Sequence, residues 1–138
     1  MSFDTIRARD LMTKNVVKAK PDESLRTAIT RMKEHAIHGL LVDPIAPGGG
    51  HSILTGKDCI EVVCDAGAEA LDDLRVEDAM TRPAVAIQGG LCVTDAIRLM
   101  RHAGVRTVPV VEGDDVVGIL TFTDVLRACS HSLSLIHI

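Results

Sequence analysis

Aromatic side chains are almost absent from this sequence, which contains two Phe, no Trp and no Tyr among 138 residues. Proteins that bind single-stranded nucleic acid stack bases on aromatic rings, and proteins that bind the phosphate backbone cluster Lys and Arg. Here 15 basic residues are outnumbered by 19 acidic ones, which gives a formal net charge of −4 at pH 7. We therefore expect no nucleic-acid partner.

Long apolar runs are missing as well. None approaches the roughly 18 to 20 residues that cross a bilayer, and the first residues lack the charge and the apolar stretch of a secretion signal. The sequence therefore predicts no membrane association and a cytoplasmic protein. The cysteines include no C-x-x-C pair, so we expect small core residues rather than disulfides or zinc ligands. They are Cys59, Cys64, Cys92 and Cys129.

The sequence does contain an internal repeat. Residues 8–43 align with residues 76–111 without a gap, and Ile53-Leu54-Thr55 then aligns with Ile119-Leu120-Thr121 at a spacing shorter by two residues. The difference falls in a turn, where insertions are tolerated. The sequence therefore predicts two copies of one unit, and we expect them to pack together because roughly 55 residues bury too little surface alone.

Each copy is predicted to follow the order β-α-β-β-α. Short lead segments, residues 9–13 and 77–81, precede predicted strands at residues 15–19 and 84–87. Apolar residues with i, i+3, i+4, i+7 spacing then predict an amphipathic helix in each copy. These residues are Leu25, Ala28, Ile29 and Met32 in the first copy and Val93, Ala96, Ile97 and Met100 in the second.

A hairpin and a closing helix complete each copy. The apolar runs 40–42 and 108–111 lead through turns into strands that end at Thr55 and Thr121. We expect each closing helix to turn three apolar residues inward. These are Ile60, Val63 and Cys64 in the first copy and Val125, Leu126 and Cys129 in the second.

The predicted boundaries are residues 7–64 for the first repeat, 65–73 for an acidic, Ala/Gly-rich linker, and 74–130 for the second repeat. Residues 133–138 break the pattern. Their sequence, Leu-Ser-Leu-Ile-His-Ile, is also what a transposase-end sequencing adapter encodes when it is read in frame. We therefore expect a non-native tail there, the alternative being a frayed apolar end.

Both copies carry Thr-x-x-Asp where a strand runs into a helix, as Thr55 with Asp58 and Thr121 with Asp124. One interpretation is a capping box, in which the two side chains satisfy backbone N–H groups. The other is a nucleotide site, since free N–H groups and the helix dipole favour phosphate and a carboxylate can accept hydrogen bonds from ribose hydroxyls. A cap that a ligand displaces satisfies both interpretations.

The order of these elements resembles a known family, the cystathionine-β-synthase (CBS) domain. The resemblance rests on D-x-M-T, a V-V strand, an amphipathic helix, an h-P-V strand (h, apolar residue) and G-h-h-T-x-x-D, in that order, over residues 7–130. Two copies in tandem resemble a Bateman module. The first copy departs from the pattern, with Ser52 in place of Gly, Leu41 in place of Pro, and a longer turn at residues 44–51.

The resemblance implies an α+β fold of two repeats packed about a pseudo-twofold axis, with two clefts between them. It further implies a non-catalytic regulatory module that binds AMP, ADP, ATP or a related adenosyl ligand in these clefts. The module would form a homodimer and pass the signal to a partner protein, which the sequence does not identify. The ligand would be regulatory, and we expect no cofactor, metal or catalytic residue.

The resemblance also assigns ligand contacts. Thr121 and Asp124 are the first candidates for phosphate and ribose, and Thr55 and Asp58 are those of the second cleft. Arg106 and His38 occupy the position from which the family often reaches phosphates, although a lone Arg is usually a solvated surface charge. The remaining candidates are aliphatic, for which ordinary core is the alternative; they are Val17, Ala19, Val85, Ile87 and Pro109.

Two other functions stay open at this point. The chain could be a structural dimerisation module whose Thr-x-x-Asp elements only cap helices. It could also be a regulatory fragment of a longer enzyme or transporter.

Overall fold

The computed structural model describes residues 2–81 and 85–136. It has the expected α+β fold, with two three-stranded sheets and helices packed on them. The first copy contains α1 (Ala8–Leu11), β1 (Lys18–Ala19), α2 (Leu25–His35), β2 (Gly39–Val42), β3 (Ser52–Thr55) and α3 (Gly56–Ala66). A short helix, α4 (Ala70–Asp73), follows. The second copy contains α5 (Val76–Ala79), β4 (Ile87–Gln88), α6 (Val93–Ala103), β5 (Thr107–Glu112), β6 (Asp115–Thr121) and α7 (Phe122–Ile136).

The two sheets have the same topology. In each, the first strand runs parallel to the second, and the second and third form the predicted antiparallel hairpin. The predicted first strands are too long, because only Lys18 and Ala19 find partners on β2, at Leu41 and Val42. Ala84, where the other was predicted to begin, lies outside the described residues.

The described part of the chain folds into two compact units. The first-repeat unit contains residues 17–81 and the second-repeat unit contains residues 2–16 and 85–136. Each lead segment, taken from here on with the residue before it (residues 8–13 and 76–81), therefore belongs to the unit built on the other repeat's sheet. This exchange was not anticipated from the sequence, and the predicted repeat boundaries describe the linear repeat only.

Backbone hydrogen bonds fix the first lead in the second-repeat unit. The N–H groups of Ala8 and Arg9 donate to the carbonyls of Leu91 and Gly89, at 2.8 and 3.0 Å. Thr13 and Ile119 exchange both of their backbone bonds, at 2.8 and 3.0 Å. Ala8 is fully buried in the core of this unit.

The second lead is held in the first-repeat unit in the same way. The Val76 N–H donates to the Glu23 carbonyl at 2.8 Å, and Thr81 exchanges backbone bonds with Ile53 at 2.9 and 3.2 Å. Val76 and Met80 are buried in the core of that unit. Each lead thus supplies core residues and covers part of an edge strand, β6 or β3.

The amphipathic helices turn their apolar faces to these cores, as predicted. Leu25, Ala28 and Met32 are buried on α2, with Ile29 packed against them. Val93, Ala96 and Met100 are buried on α6, and Ile97 is packed in the same way. The i, i+3, i+4, i+7 spacing therefore identified both faces correctly.

The closing helices differ from the expectation. On α3, Ile60, Val63 and Cys64 are exposed, while Cys59 is buried and Val62 is half-buried. The helix begins directly where β3 ends, so its rotation is set by the strand and by its cap rather than by the apolar residues further along. On α7 the expectation holds for Val125 and Cys129, which pack in the core, but Leu126 is 66% exposed.

The cysteine expectation is only partly correct. Cys59 is buried, Cys92 and Cys129 are half-buried, and Cys64 is exposed on the outer face of α3. All four are free thiols. Burial, with a smaller effect of Asp58, raises the pKa of the Cys59 thiol to about 11, so it stays protonated and packs as a small apolar residue.

The expected linker is helical except at residues 67–69, which form a turn, and the described part of the expected tail is helical. Residues 65 and 66 end α3, and α4 places Leu71 in the core of the first-repeat unit. Helix α7 continues through residues 133–136 of the expected tail, and residues 137 and 138 lie outside the described part. Within residues 2–81 and 85–136, no helix has the length and apolarity that a bilayer crossing requires.

An ion pair holds the short strand β1 to α2. The Arg31 guanidinium donates to Glu23 Oε2 at 2.6 Å and to the Lys18 carbonyl at 2.9 Å. The hydrogen bond from Arg31, more than any other cause, lowers the pKa of Glu23. Both side chains are less than one third exposed, so this pair is better shielded from water than a surface pair.

Gly118 on β6 is needed because the first lead passes close to it. A Cβ at this position would lie 2.8 Å from Met12 Cγ and 2.9 Å from the Thr13 carbonyl oxygen. The backbone oxygen cannot move without disturbing the bridge between Thr13 and Ile119. Gly39, a strand glycine on β2, has no such close approach, since its nearest described atom is 3.7 Å from the position of a Cβ.

We expect Gly118→Ala to lower the free energy of unfolding by about 1–3 kcal/mol and to loosen the first lead. Urea unfolding measures the first effect, and hydrogen exchange of the Thr13 N–H measures the second. The control is Gly39→Ala, which places a Cβ where a strand has room for it and should leave that N–H protected. Equal protection of the Thr13 N–H in both variants would contradict the close approach.

Candidate functional site

Thr55 and Asp58 form a complete capping box at the start of α3. The Thr55 N–H donates to Asp58 Oδ2 at 2.9 Å, and the Asp58 N–H donates to Thr55 Oγ1 at 3.2 Å. Thr121 and Asp124 make the same two bonds at the start of α7, at 2.9 and 3.1 Å. The capping interpretation of both elements is therefore confirmed.

His38 and Arg106 stand beside these caps through their backbone. The His38 carbonyl accepts the N–H of Gly56, the first residue of α3, at 2.9 Å. The Arg106 carbonyl accepts the N–H of Phe122, the first residue of α7, at 3.1 Å. Both side chains are exposed, so each is free to meet a ligand beside a helix start.

These bonds leave fewer backbone N–H groups for an anion than the sequence predicted. Of the first three N–H groups of each helix, the first is bound by a carbonyl and the third by a threonine hydroxyl. Only the second, that of Lys57 or Thr123, has no hydrogen-bond partner among the described residues. Phosphate would therefore meet one N–H group rather than the open turn that the sequence suggested.

The Asp124 carboxylate has further partners. Its Oδ2 also accepts the Thr121 hydroxyl at 3.1 Å, and its Oδ1 accepts the Thr13 hydroxyl at 3.1 Å and Arg127 Nη1 at 3.2 Å. The Asp124 side chain is 3% exposed. The carboxylate thus joins the start of α7 to the first lead and to the next turn of the helix.

Asp58 has fewer bonds than Asp124. Its Oδ2 accepts the Thr55 N–H, and its Oδ1 has no hydrogen-bond partner among the described residues. Asp58 is half-buried. The two Thr-x-x-Asp elements therefore share a cap but differ in how much of the carboxylate remains open.

The aliphatic candidates divide into buried and accessible residues. Ala19, Ile87 and Pro109 are buried, the first two within the cores of their units, which is the ordinary-core alternative. Val17 is half-buried against the core of the first-repeat unit, and Val85 is 36% exposed. Val17 and Val85 are thus the two whose side chains still reach solvent.

Sequence reasoning missed Thr13 and Arg127 as partners of Asp124. Thr13 was aligned with Thr81 in the repeat, but nothing in the sequence placed it on the other repeat's sheet. Arg127 lies three residues after Asp124 on the same helix, a spacing at which side chains meet. That spacing was the available signal. Among the described residues, no group of His, Cys, Asp and Glu is arranged to hold a metal ion.

The CBS domain family model matches residues 8–63 and 76–131. The chain belongs to the CBS domain family. It carries two CBS domains in tandem, as the repeat and the two sheets had indicated. The exchanged leads and the paired Thr-x-x-Asp caps are therefore features of this chain's two CBS domains.

Solved structures share the fold of this CBS pair. The CBS-domain containing protein of Agrobacterium tumefaciens is 28% identical, with a TM-score of 0.78 over 93% of this chain and 98% of that one. Another neighbour is a CBS domain pair in complex with 5′-methylthioadenosine and S-adenosyl-L-methionine. It is 23% identical, with a TM-score of 0.76 over 91% of this chain and 97% of that one; at this identity the likeness shows the fold alone.

Curated relatives are mostly longer proteins. The chain is 25% identical over 128 residues to an inosine-5′-monophosphate dehydrogenase of Korarchaeum cryptofilum. The aligned region covers 91% of this chain and 25% of that relative. The chain spans between 23% and 62% of the length of this relative and two others.

The two caps should differ in their contribution to stability. We expect Asp124→Ala to lower the free energy of unfolding by about 2–3 kcal/mol, since it removes the four hydrogen bonds of a buried carboxylate and leaves the Thr121 N–H without its acceptor. Asp58→Ala should cost about 1 kcal/mol, the usual value for a lost cap. Urea unfolding compares them, with Asp114→Ala in the exposed β5–β6 turn as control. Equal losses for Asp58 and Asp124 would contradict the difference in bonding.

Proposed function

We propose that this CBS pair is a non-catalytic regulatory module that binds an adenine nucleotide or a related adenosyl ligand. Binding would bias its own oligomeric state or a partner protein. One observation carries the proposal: each repeat places a threonine and an aspartate together on the first turn of a helix that directly follows a strand. A fold neighbour that holds two adenosyl ligands supports the choice of ligand class.

The groups at each helix start suit the parts of such a ligand. A carboxylate oxygen can accept hydrogen bonds from ribose hydroxyls, and Asp58 Oδ1 is open to do so. Because most of the helix N–H groups are already used, phosphate binding falls mainly on the exposed side chains of Arg106 and His38. Arginine suits this task, since its planar guanidinium binds phosphate through two parallel bonds. Val17 and Val85 remain the aliphatic candidates for contact with adenine.

Regulation would follow from differential affinity. A ligand shifts an equilibrium between two arrangements only if it binds one of them more tightly. The caps provide such a difference, because a ligand that bonds to Asp58 Oδ1 adds a bond at the start of α3, whereas a ligand that bonds to Asp124 competes with the bonds already made at the start of α7. Ligand binding would therefore change the stability of α3 or α7.

Calorimetric titration with AMP, ATP, S-adenosylmethionine and NADH tests the sensing role. We expect saturable heat with at least one of the four, and Asp58→Asn should weaken that binding about tenfold or more, because the amide replaces an acceptor oxygen by a donor. The control is Asp78→Asn. The Asp78 carboxylate accepts the Arg75 N–H at 2.8 Å at the start of the short helix α5.

The outcomes test the sensing role and the assignment of Asp58 to the ligand separately. No heat with any of the four ligands would refute the sensing role. An equal loss of affinity in Asp78→Asn would refute the assignment of Asp58 to the ligand.

The outer faces of α3 and α7 favour a second copy of the chain as partner. Ile60 on α3 is 63% exposed and Leu126 on α7 is 66% exposed, at equivalent positions of the two repeats. On α3, Val63 and Cys64 are exposed on the same face as Ile60, and a contiguous exposed apolar patch is a common mark of an association surface. The structural alternative is a chain that binds no ligand and serves only to dimerise. It would form the same homodimer and cover the same residues.

We expect Ile60→Glu and Leu126→Glu to halve the mass observed by sedimentation, because each places a charge in the dimer contact. Ile45→Glu is the matched control. It replaces an apolar residue that is 57% exposed in the turn between β2 and β3, and it should leave the mass unchanged. A wild-type protein that sediments as a monomer would contradict the homodimer.

A further inference from the structure

The carboxylates of Asp58 and Asp124 accept different numbers of hydrogen bonds although the two residues are equivalent in the repeat. A carboxylate offers about four lone-pair positions to hydrogen-bond donors. Asp124 receives two donors on each oxygen, from Thr121 on Oδ2 and from Thr13 and Arg127 on Oδ1. Asp58 receives the Thr55 N–H on Oδ2, and the described residues place no donor on Oδ1. Asp124 is thus already saturated and Asp58 is not.

The difference comes from two positions. Thr13 aligns with Thr81, whose side chain makes no hydrogen bond to Asp58 within the described chain, although both threonines form the same backbone bridge to a third strand. Arg127 aligns with Glu61, whose carboxylate has no donor to offer Asp58 and whose Oε1 lies 4.0 Å from Lys57 Nζ. The same cap is therefore reinforced in one repeat and left open in the other.

We propose that Thr13 and Arg127 are internal competitors for the ligand at Asp124, so that the Asp58 element takes an adenosyl ligand first. This inference rests on the proposed function and assigns an order to its two sites. Ribose hydroxyls can bond to Asp58 Oδ1 without displacing a described group. At Asp124 they must first displace the Thr13 hydroxyl, the Arg127 guanidinium, or both.

Water can replace either competitor. The Arg127 side chain is 71% exposed, so water can replace its bond to Asp124. The Thr13 hydroxyl has no other hydrogen-bond partner among the described residues, but Thr13 is exposed as well, so water can replace this bond too. The backbone bridge between Thr13 and Ile119 does not involve Asp124 and would persist. Arg127 is therefore the competitor that can be removed with least effect on folding, because Thr13 also belongs to the lead that bridges β6.

Calorimetry with AMP, ATP and S-adenosylmethionine in variants of the full chain tests the order. The wild type should bind one equivalent tightly, and Asp58→Asn should remove that event and leave only weak binding. In the Asp58→Asn background, Arg127→Gln and Thr13→Val should each tighten the remaining binding about five- to tenfold. Arg127→Gln changes an exposed side chain, so the test does not depend on the folding of the Thr13 variant.

Matched controls exist for both substitutions. Arg98→Gln removes an exposed arginine that pairs with Asp95 at the same i, i+3 spacing, at 3.4 Å. Thr81→Val changes the equivalent threonine of the second lead. In the Asp58→Asn background neither control should alter the remaining affinity.

Each result decides between the two proposals. Tight binding of two equivalents by the wild type, or affinities that Arg127→Gln and Thr13→Val leave unchanged, would overturn this inference and keep the sensing role. Tightening that the controls reproduce would also overturn it. The absence of heat with all three ligands in every variant would overturn the sensing role and this inference together.

Discussion

The structure depends on how the edge strands β3 and β6 are covered. An edge strand presents unpaired backbone groups that must be shielded, and here β3 and β6 are each bridged by a lead segment from the other repeat. The bridges are Thr81 with Ile53 and Thr13 with Ile119. The leads also bury Val76 and Ala8 in the two cores. A repeat cut out along the linear sequence would therefore lose both its edge cover and part of its core.

The same exchange determines the chemistry of Asp124. Because the first lead lies on β6, the Thr13 hydroxyl reaches the carboxylate at the start of α7. Close passage of this lead also explains Gly118, whose counterpart in the first repeat is Ser52. Two copies that began with the same Thr-x-x-Asp pattern have thus acquired a saturated acid in one unit and an open acid in the other.

The predictions from the sequence succeeded where local chemistry decides the outcome. Helical spacing identified the buried faces of α2 and α6, and apolar runs with turn residues identified both hairpins. They failed where a neighbouring element imposes the geometry. Ile60 and Leu126 were expected inside, but the cap at each strand-to-helix junction sets the rotation of α3 and α7 and turns them outward. The first strands were expected to be longer, and their length is limited by the pairing available on β2 and β5.

The sequence by itself determined the repeat, the order of its elements and the positions of the two Thr-x-x-Asp caps, because spacing, turn residues and capping act over a few neighbouring residues. Only the tertiary structure decided which repeat each lead completes and which of the two carboxylates is already occupied. These depend on contacts such as that between Thr13 and Asp124, which are 111 residues apart in the chain. Nothing in a local pattern specifies such a pair, since the backbone bridge that brings it together forms only when the leads cross to the opposite sheets.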